Sequence, residues 1–290
     1  MEIRVPYNFV HAAELDPRSA SIDPRKAGFN ERTLDIDLRE CAFIQPAALL
    51  WCAVYELLAA SHGAACRLLV PENLGVAIYL KSVGLFETLK RNGIDVDDRG
   101  IGERPHAGPR LILPLSQFFK ESEVDELANT ALDRLRESGV GAANLYPVVS
   151  EVFAELALNA VQHAKSPIGA FGLIQFYEAA AGQRFVCGVA DGGIGIRSAL
   201  QQNPDLRRQA TYDWTAIELA LQEGVSGTGS SRRGIGLFGV AEDMTKPGRQ
   251  LIIHSGIGLL RAGGEFADRA EPSRTPVPFP GTLTFASIPT

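Results

Sequence analysis

The first third of the chain carries a strand-like pattern of apolar residues followed by a helix-like one. Residues 34–38 (LDIDL) alternate apolar and acidic side chains, which is typical of a half-buried strand. Pro46 can open the next helix, because proline is tolerated in the first helical turn, and Gly63 ends it. The apolar stripe of this predicted helix follows helical spacing and consists of Leu49, Leu50, Ala53, Val54, Leu57 and Leu58.

The same order repeats once before the chain changes character. Residues 67–70 predict a second buried strand, and residues 74–82 predict a second helix, with residues 83–86 capping the unit. Strand–helix–strand–helix is the order of a small α/β layer. Residues 95–109 are rich in glycine, proline and charge and lack a sustained apolar period, as in a linker or long loop. We therefore expect an α/β domain at 1–95, a linker at 96–109 and a second domain at 110–290.

Two helices are predicted early in the second half. After a strand-like LILPL, residues 121–138 form an amphipathic pattern with an acidic first turn, which suits the positive end of a helix. Residues 148–164 predict another helix, in which Glu155, Asn159 and His163 recur at i, i+4 and i+8 along one side. The rest of this helix is largely apolar, so its polar residues need partners. A ligand-filled pocket would provide them, and a polar edge facing solvent is the alternative.

A strand that ends in an acid and a glycine turn follows. Residues 184–190 predict the strand, which runs directly into DGGIGI at 191–196. The Asp191 carboxylate can accept a hydrogen bond from an exocyclic amine, and the missing β-carbons let a planar base approach. An ordinary Asp-Gly turn is the alternative reading of this segment.

Residues 227–239 are rich in glycine and hydroxyl groups and lead into an apolar helix. Exposed backbone N–H groups at such a helix start form an anion site suited to phosphates. Gly234, Gly236 and Gly239 match the dinucleotide-binding fingerprint as a string, but a polar Ser-Ser-Arg-Arg stretch precedes them where that fingerprint requires a strand. A Walker A site requires a Gly-Lys pair, and the sequence contains none.

Composition narrows the class of protein. The 290 residues are 46% hydrophobic and 21% charged, which is ordinary for a globular protein. The net charge of -6 gives no reason to expect nucleic acid or an anionic membrane as a partner. Residues 43–60 are the most apolar window but contain Gln45, Pro46 and Glu56, so they predict core and not a spanning helix. The four cysteines form no CxxC pair and there is no signal-peptide pattern, so we expect reduced, buried thiols in a cytoplasmic protein.

Three segments in order resemble a known family. ELALNAVQHA at 155–164, DGGIGI at 191–196 and RRGIGL at 232–237 resemble the N, G1 and G2 boxes of the GHKL family of ATP-binding proteins. LIIHSGIGLL and PGTLTFASIP resemble its closing strands, and the resemblance covers residues 110–290. It implies a Bergerat-fold α/β sandwich, in which helices cover a mixed sheet, with ATP and Mg²⁺ as ligands.

The resemblance also implies roles for individual residues. Asp191 would bind the adenine amino group, and the side-chain oxygen of Asn159 would bind Mg²⁺, which favours oxygen ligands. Residues 197–233 would form a mobile lid, with Arg232 or Arg233 contacting phosphate. The remaining expected nucleotide contacts are Gly193, Gly195, Ile196, Thr228, Gly229, Gly234, Gly236 and Leu237.

Glu155 decides which member of the family the pocket resembles. Histidine kinases of this family usually carry Asn there and Lys at the position of Gln162, and residues 121–138 contain no histidine to accept a phosphate. Anti-sigma-factor serine kinases and ATPase members carry Glu, which can take a proton during γ-phosphoryl transfer. Three activities stay open: a serine kinase acting on a regulatory partner of sigma-factor or antagonist type, an ATPase with a lid-driven cycle, and a nucleotide-sensing module without turnover. A homodimer is also compatible with the resemblance.

The first domain resembles a STAS domain of the anti-sigma-factor antagonist type. The resemblance rests on LDIDLRECAFIQPAALL, RLLVP and YLKSVGLFETL. Where that family has a phosphorylatable hydroxyl, this chain has QPAA at 45–48, and none of these side chains accepts a phosphate. The resemblance therefore implies a docking module tethered at high effective concentration beside the ATP site. An unrelated α/β domain is the alternative.

Overall fold

The computed structural model describes residues 1–20, 23–25, 33–98, 100–102, 108–179, 182–225, 236–263 and 266–290. It confirms the predicted α/β class, with helices flanking one parallel and one antiparallel sheet. The elements of the first half are β1 (Glu2–Arg4), β2 (Asn8–Phe9), α1 (Pro17–Ala20), β3 (Thr33–Asp37), β4 (Phe43–Ile44), α2 (Pro46–Ser61), β5 (Ala65–Leu69), α3 (Leu74–Ser82), α4 (Leu85–Arg91) and β6 (Asp95–Val96).

Four parallel strands form the sheet of the first half, in the order β1-β3-β5-β6. Register places Ile3, Ile36, Leu68 and Val96 side by side across the sheet, and all four are buried. A continuous apolar row of this kind is what a parallel sheet presents to the helices that cover it. β2 and β4 pair separately as a short parallel ribbon.

Helix α4 was not predicted, because residues 83–86 looked like a cap. Gly84 has a φ of 89°, which ends α3 and lets a new helix begin at the next residue. β6 occupies the first two residues of the stretch at 95–109, where Asp95 and Val96 pair with Arg67 and Leu68. A two-residue strand carries too little periodicity to be recognised in the sequence.

The second half contains β7 (Arg110–Phe118), α5 (Glu121–Ser138), α6 (Tyr146–His163), β8 (Ala170–Ala179), β9 (Gly182–Asp191), α7 (Gly195–Leu200), α8 (Asp213–Ala220), α9 (Gly236–Asp243), β10 (Gln250–Gly263) and β11 (Phe266–Pro289). Its five strands are ordered β10-β11-β9-β8-β7. Every described pairing in this sheet is antiparallel, so the expectation of a mixed sheet is corrected. The helix pair α5–α6 returns the chain to the end of the sheet where β7 finishes, and β8 therefore runs opposite to β7.

Helix α2 lies between the two sheets. It contacts β3 and β5 of the first sheet and β8, β9 and β11 of the second. Its residues from Pro46 to Ala59 are all buried, so the helix is covered all round and not along one stripe. One hydrophobic cluster consequently contains residues of both predicted domains, including Leu50 and Leu58 from α2.

A second cluster lies on the opposite face of the antiparallel sheet. There α5 and α6 pack on each other and on β7, β8 and β9, and α9 packs on α6. Among the described residues, no helix is long and apolar enough to cross a membrane. The expectation that residues 43–60 belong to the core is confirmed for α2, where the Glu56 side chain is also buried, whereas Phe43 before the helix is 45% exposed. Burial raises the pKa of Glu56 well above its usual range.

Candidate functional site

Helix α6 provides one wall of the candidate site. Its buried face packs Val149, Phe153 and Leu156 against the sheet, while Glu155 and Asn159 are half-buried on another side. The Asn159 Nδ2 donates a hydrogen bond of 2.8 Å to the backbone oxygen of Glu155, one turn earlier. This bond fixes the orientation of the amide relative to the helix, and it leaves the side-chain oxygen as the atom available for a cation.

Asp191 forms the floor of the site. It is the last residue of β9, and register places it between Thr282 of β11 and Ala170 of β8. Its side chain is 3% exposed, and its Oδ1 accepts a hydrogen bond of 2.8 Å from the backbone N–H of Gly193. Burial raises the pKa of Asp191 to about 7, although the hydrogen bonds from Gly193 and Thr282 and the charge of Arg25 lower it. A carboxyl with such a pKa, at the end of an apolar strand, is typical of functional sites.

The glycine turn after Asp191 is packed directly on the end of α6. A Cβ added at Gly193 would lie 1.9 Å from the carbonyl oxygen of Ala164, so no larger residue fits there. The next residue, Ile194, donates its backbone N–H to that same oxygen at 2.8 Å. Gly195 has a φ of 77° and opens α7. The turn therefore holds the end of β9 against the helix that carries Asn159.

Two residues behind the turn were not identified from the sequence. Ser255 Oγ accepts a hydrogen bond of 2.9 Å from the backbone N–H of Ile196 and donates one of 2.9 Å to the carbonyl oxygen of Gly281. Gly281 has a φ of 115°, and a Cβ there would lie 2.1 Å from the backbone oxygen of Asp191. The glycine in PGT and the serine in HSG were the available signals, but neither shows which residue it faces.

The start of α9 reaches the same wall of the site. Gly236 has a φ of 57°, and its backbone N–H donates a hydrogen bond of 3.1 Å to Glu155 Oε2. A carboxylate therefore lies at the N-terminal end of α9, where an anion is favoured by the unpaired N–H groups of a helix. Leu237 and Ile196 are both half-buried and both pack against the hydrophobic cluster beneath α6.

Part of the predicted site lies outside the described residues. Thr228, Gly229 and Gly234 belong to this part, as do both candidate phosphate-binding arginines, Arg232 and Arg233.

The described portion of the predicted lid contains α7 and α8 and is packed. Asp213 Oδ2 accepts a hydrogen bond of 2.9 Å from the backbone N–H of Ile257 in β10. A Cβ added at Gly258 would lie 2.7 Å from the backbone of Asp213, so the glycines of β10 allow α8 to approach closely. Leu200 and Leu219 belong to a small cluster of buried residues beneath these helices. Helix α8 of this segment is therefore anchored to β10 by specific contacts.

Histidine and cysteine residues add no metal centre to the described site. Burial lowers the pKa of His163, which favours the neutral imidazole at the end of α6. No group of three or more His, Cys, Asp or Glu side chains in the described part of the chain could hold a metal ion. The four cysteines are free and buried, as the sequence predicts.

The structure brings together residues from all three boxes. The C-terminal end of α6, at Ala164, contacts the Asp191–Gly193 turn, and Glu155 on the same helix contacts Gly236 of α9. The arrangement offers a buried carboxyl, a side-chain amide and a helix start beside one half-exposed helix. No protein-family model matches this sequence, and no curated protein matches it either.

Proposed function

We propose that this site binds ATP together with Mg²⁺. The observation that carries the proposal is Asp191, a buried carboxyl whose neighbouring glycine turn is packed too closely against Ala164 for any side chain. This packing fixes the turn beside Asp191, and a carboxyl in a fixed position can accept a hydrogen bond from the exocyclic amine of adenine. The resemblance to the G1 box supports the same assignment.

The other two boxes supply groups for the phosphates and the cation. The N-terminal end of α9 at Gly236 is suited to a phosphate, and the half-buried Asn159 offers an amide oxygen of the type that Mg²⁺ binds. When bound, Mg²⁺ would neutralise the charge on the phosphates. Asn159 and Gly236 are both linked to Glu155, by hydrogen bonds of 2.8 and 3.1 Å. The groups assigned to the cation and to the phosphates therefore both contact Glu155, the first at its backbone oxygen and the second at its carboxylate.

The reaction that this arrangement supports best is transfer of the γ-phosphoryl group to a serine of a regulatory protein, of sigma-factor or antagonist type. Glu155 would accept the proton of the serine hydroxyl. The serine oxygen would then form the bond to the γ-phosphorus, while the bond from that phosphorus to the bridging oxygen breaks and ADP leaves. With water in place of serine, the same steps give an ATPase. A site that binds nucleotide without turnover would act as a sensor.

Calorimetric titration of Mg-ATP tests the binding proposal. Wild-type protein should bind saturably, and Asp191→Ala should lose the binding because it removes the acceptor for adenine. Asp125→Asn serves as a matched control, since Asp125 is exposed on α5, in the second half of the chain and outside the predicted lid. A folded wild-type protein that shows no heat of binding would refute the proposal.

Turnover by Glu155→Gln separates the three activities. A kinase should transfer labelled phosphate from ATP to an antagonist-type STAS protein that carries the phosphorylatable serine, and the variant should lose this transfer while it still binds Mg-ATP. An ATPase should release phosphate without any protein acceptor, again only with Glu155 present. A sensor should release and transfer nothing in either form.

A further inference from the structure

The N-terminal segment contains the tripeptide Asp-Pro-Arg twice, at 16–18 and at 23–25. The two copies form the same local hydrogen bonds. In each, the backbone N–H of the arginine donates to the aspartate Oδ1 at 3.0 Å, and the arginine Nε donates to the same oxygen, at 3.3 Å in the first copy and 2.8 Å in the second. The sequence gives no reason to distinguish the two arginines.

The two guanidinium groups differ in what they reach. The side chain of Arg18 is 92% exposed and has only Asp16 as its ion-pair partner among the described residues. The side chain of Arg25 is 35% exposed, and its Nη1 donates a hydrogen bond of 2.6 Å to the carbonyl oxygen of Gly193. This bond joins residues 168 positions apart in the chain and connects the N-terminal half directly to the turn of the candidate nucleotide site.

Arg25 and Asp191 therefore both hydrogen-bond to the backbone of Gly193. The backbone N–H of Gly193 donates to Asp191, and its carbonyl oxygen accepts from Arg25. Asp23 holds the guanidinium through a second, paired contact at 2.8 Å. Burial raises the pKa of Tyr55 in helix α2, and the negative charge of Asp23 raises it further. The arginine is thus held between Asp23 and the carbonyl oxygen of Gly193, and it is not a freely moving surface side chain.

Helix α2 also packs against this turn, through Leu58. A Cβ added at Gly192 would lie 3.3 Å from Leu58 Cδ1 of α2 and 2.9 Å from Ile168 Cδ1. The turn is therefore enclosed by Leu58 and Arg25 of the first half and by Ala164 of α6.

We propose that Arg25 is a positioning residue of the nucleotide site, through which the N-terminal half holds the Asp191–Gly193 turn in the shape that accepts adenine. This inference rests on the proposed function. Among the described residues, the positive charge of Arg25 lowers the pKa of the buried Asp191 and thereby favours its ionised form. The ionised form is the better acceptor for an amine. Arg25 thereby acts on both the geometry and the charge of the pocket without touching the nucleotide.

The test compares Arg25→Met with Arg18→Met in the full-length chain. Arg25→Met should weaken Mg-ATP binding about tenfold, because a charged donor to a buried turn is lost, whereas Arg18→Met should change it less than about twofold. The carboxyl titration of Asp191, followed by carbon NMR without nucleotide, should move upward by about half a pH unit or more in Arg25→Met only. A purely structural role for Arg25 would not move this midpoint selectively.

Arg25→Lys provides a second, conservative variant. It keeps the positive charge but not the fixed fork of the guanidinium, so the Asp191 midpoint should return toward the wild-type value while part of the affinity loss persists. Equal affinities and equal Asp191 midpoints in Arg25→Met and Arg18→Met would overturn the proposal. Failure of the wild-type protein to bind Mg-ATP would refute the proposed function alone, since the titration of the nucleotide-free protein still decides whether Arg25 holds the turn.

Discussion

The two faces of the antiparallel sheet are covered in different ways. On one face, α5 and α6 of the same half pack against the strands, α9 packs on α6, and polar side chains such as Glu155 and Asn159 stay half-buried. On the other face, α2 of the first half is buried all round, and the contacts that Leu50 and Leu58 make there are apolar. One face of the sheet therefore carries polar side chains that can contact a ligand. The other face packs on α2, which supports the strand that ends in Asp191.

The largest expected effect concerns Asp191, at the end of the strand β9. Its pKa of about 7 in the folded chain lies above the ordinary value near 4, so its contribution to stability is present at low pH. It is lost as the pH rises from about 4 to about 7. Relative to Asp191→Asn, the wild-type protein should lose up to roughly 4 kcal/mol of unfolding free energy across this window. Urea unfolding at several pH values measures the difference, and parallel profiles would contradict it.

Substitutions on the face covered by α2 should change the unfolding free energy through packing, and this change should not depend on pH. Leu50 is fully buried, and a Cβ added at Gly188 of β9 would lie 2.7 Å from Leu50 Cδ1. Leu50→Ala should therefore lower the unfolding free energy by about 3 kcal/mol, and Gly188→Ala should lower it by about 1–3 kcal/mol through overpacking. In the double variant the new methyl group occupies part of the cavity left by the leucine.

The combined cost in that double variant should consequently be smaller than the sum of the single costs. Leu74→Ala is the matched control, because Leu74 is 50% exposed and its loss should cost about 0.5 kcal/mol or less. Strictly additive effects in the double variant would show that α2 and β9 are not in direct contact at this point.

The smallest effect is expected where Glu155 meets the start of α9. Glu155→Gln keeps an acceptor for the Gly236 N–H but removes the negative charge from the helix terminus. We expect a loss of about 0.5 kcal/mol in unfolding free energy, decreasing with added salt. Glu151→Gln controls for a charge change on the same helix, since Glu151 is exposed one turn earlier. Identical stabilities of the two variants would argue against the contact.

Local pattern was sufficient for the longer elements and for the end of the strand that carries Asp191. The apolar spacing predicts α3 at 74–82 and α5 at 121–138, with the same bounds in the structure. Asp191 was identified because an apolar strand followed by acid and glycine is a local signal. α4 was missed because a single αL glycine separates it from α3.

The remaining features are set by contacts between distant parts of the chain. The packing of α2 on the second sheet, the support of the turn by Ser255 and the bond from Arg25 each join residues far apart in sequence. Periodicity reports only whether a position is buried, and α2 shows its limit, because a helix covered by two sheets still displays an ordinary apolar stripe. The identical tripeptides at 16–18 and 23–25 show the same limit for polar residues.

Because α2 is part of the core of both sheets, ligand binding and folding of the two halves are thermodynamically linked. A ligand that binds only the folded chain stabilises it by about 2.7 kcal/mol at one hundred times its dissociation constant. When one helix is shared, the sheets cannot open independently without exposing it, so this increment extends to amides of β3 and β5, far from the site. Binding of a ligand to the second half would then slow the hydrogen exchange of backbone amides in the first half. The chain would act as one cooperative unit in which the non-binding half senses the ligand.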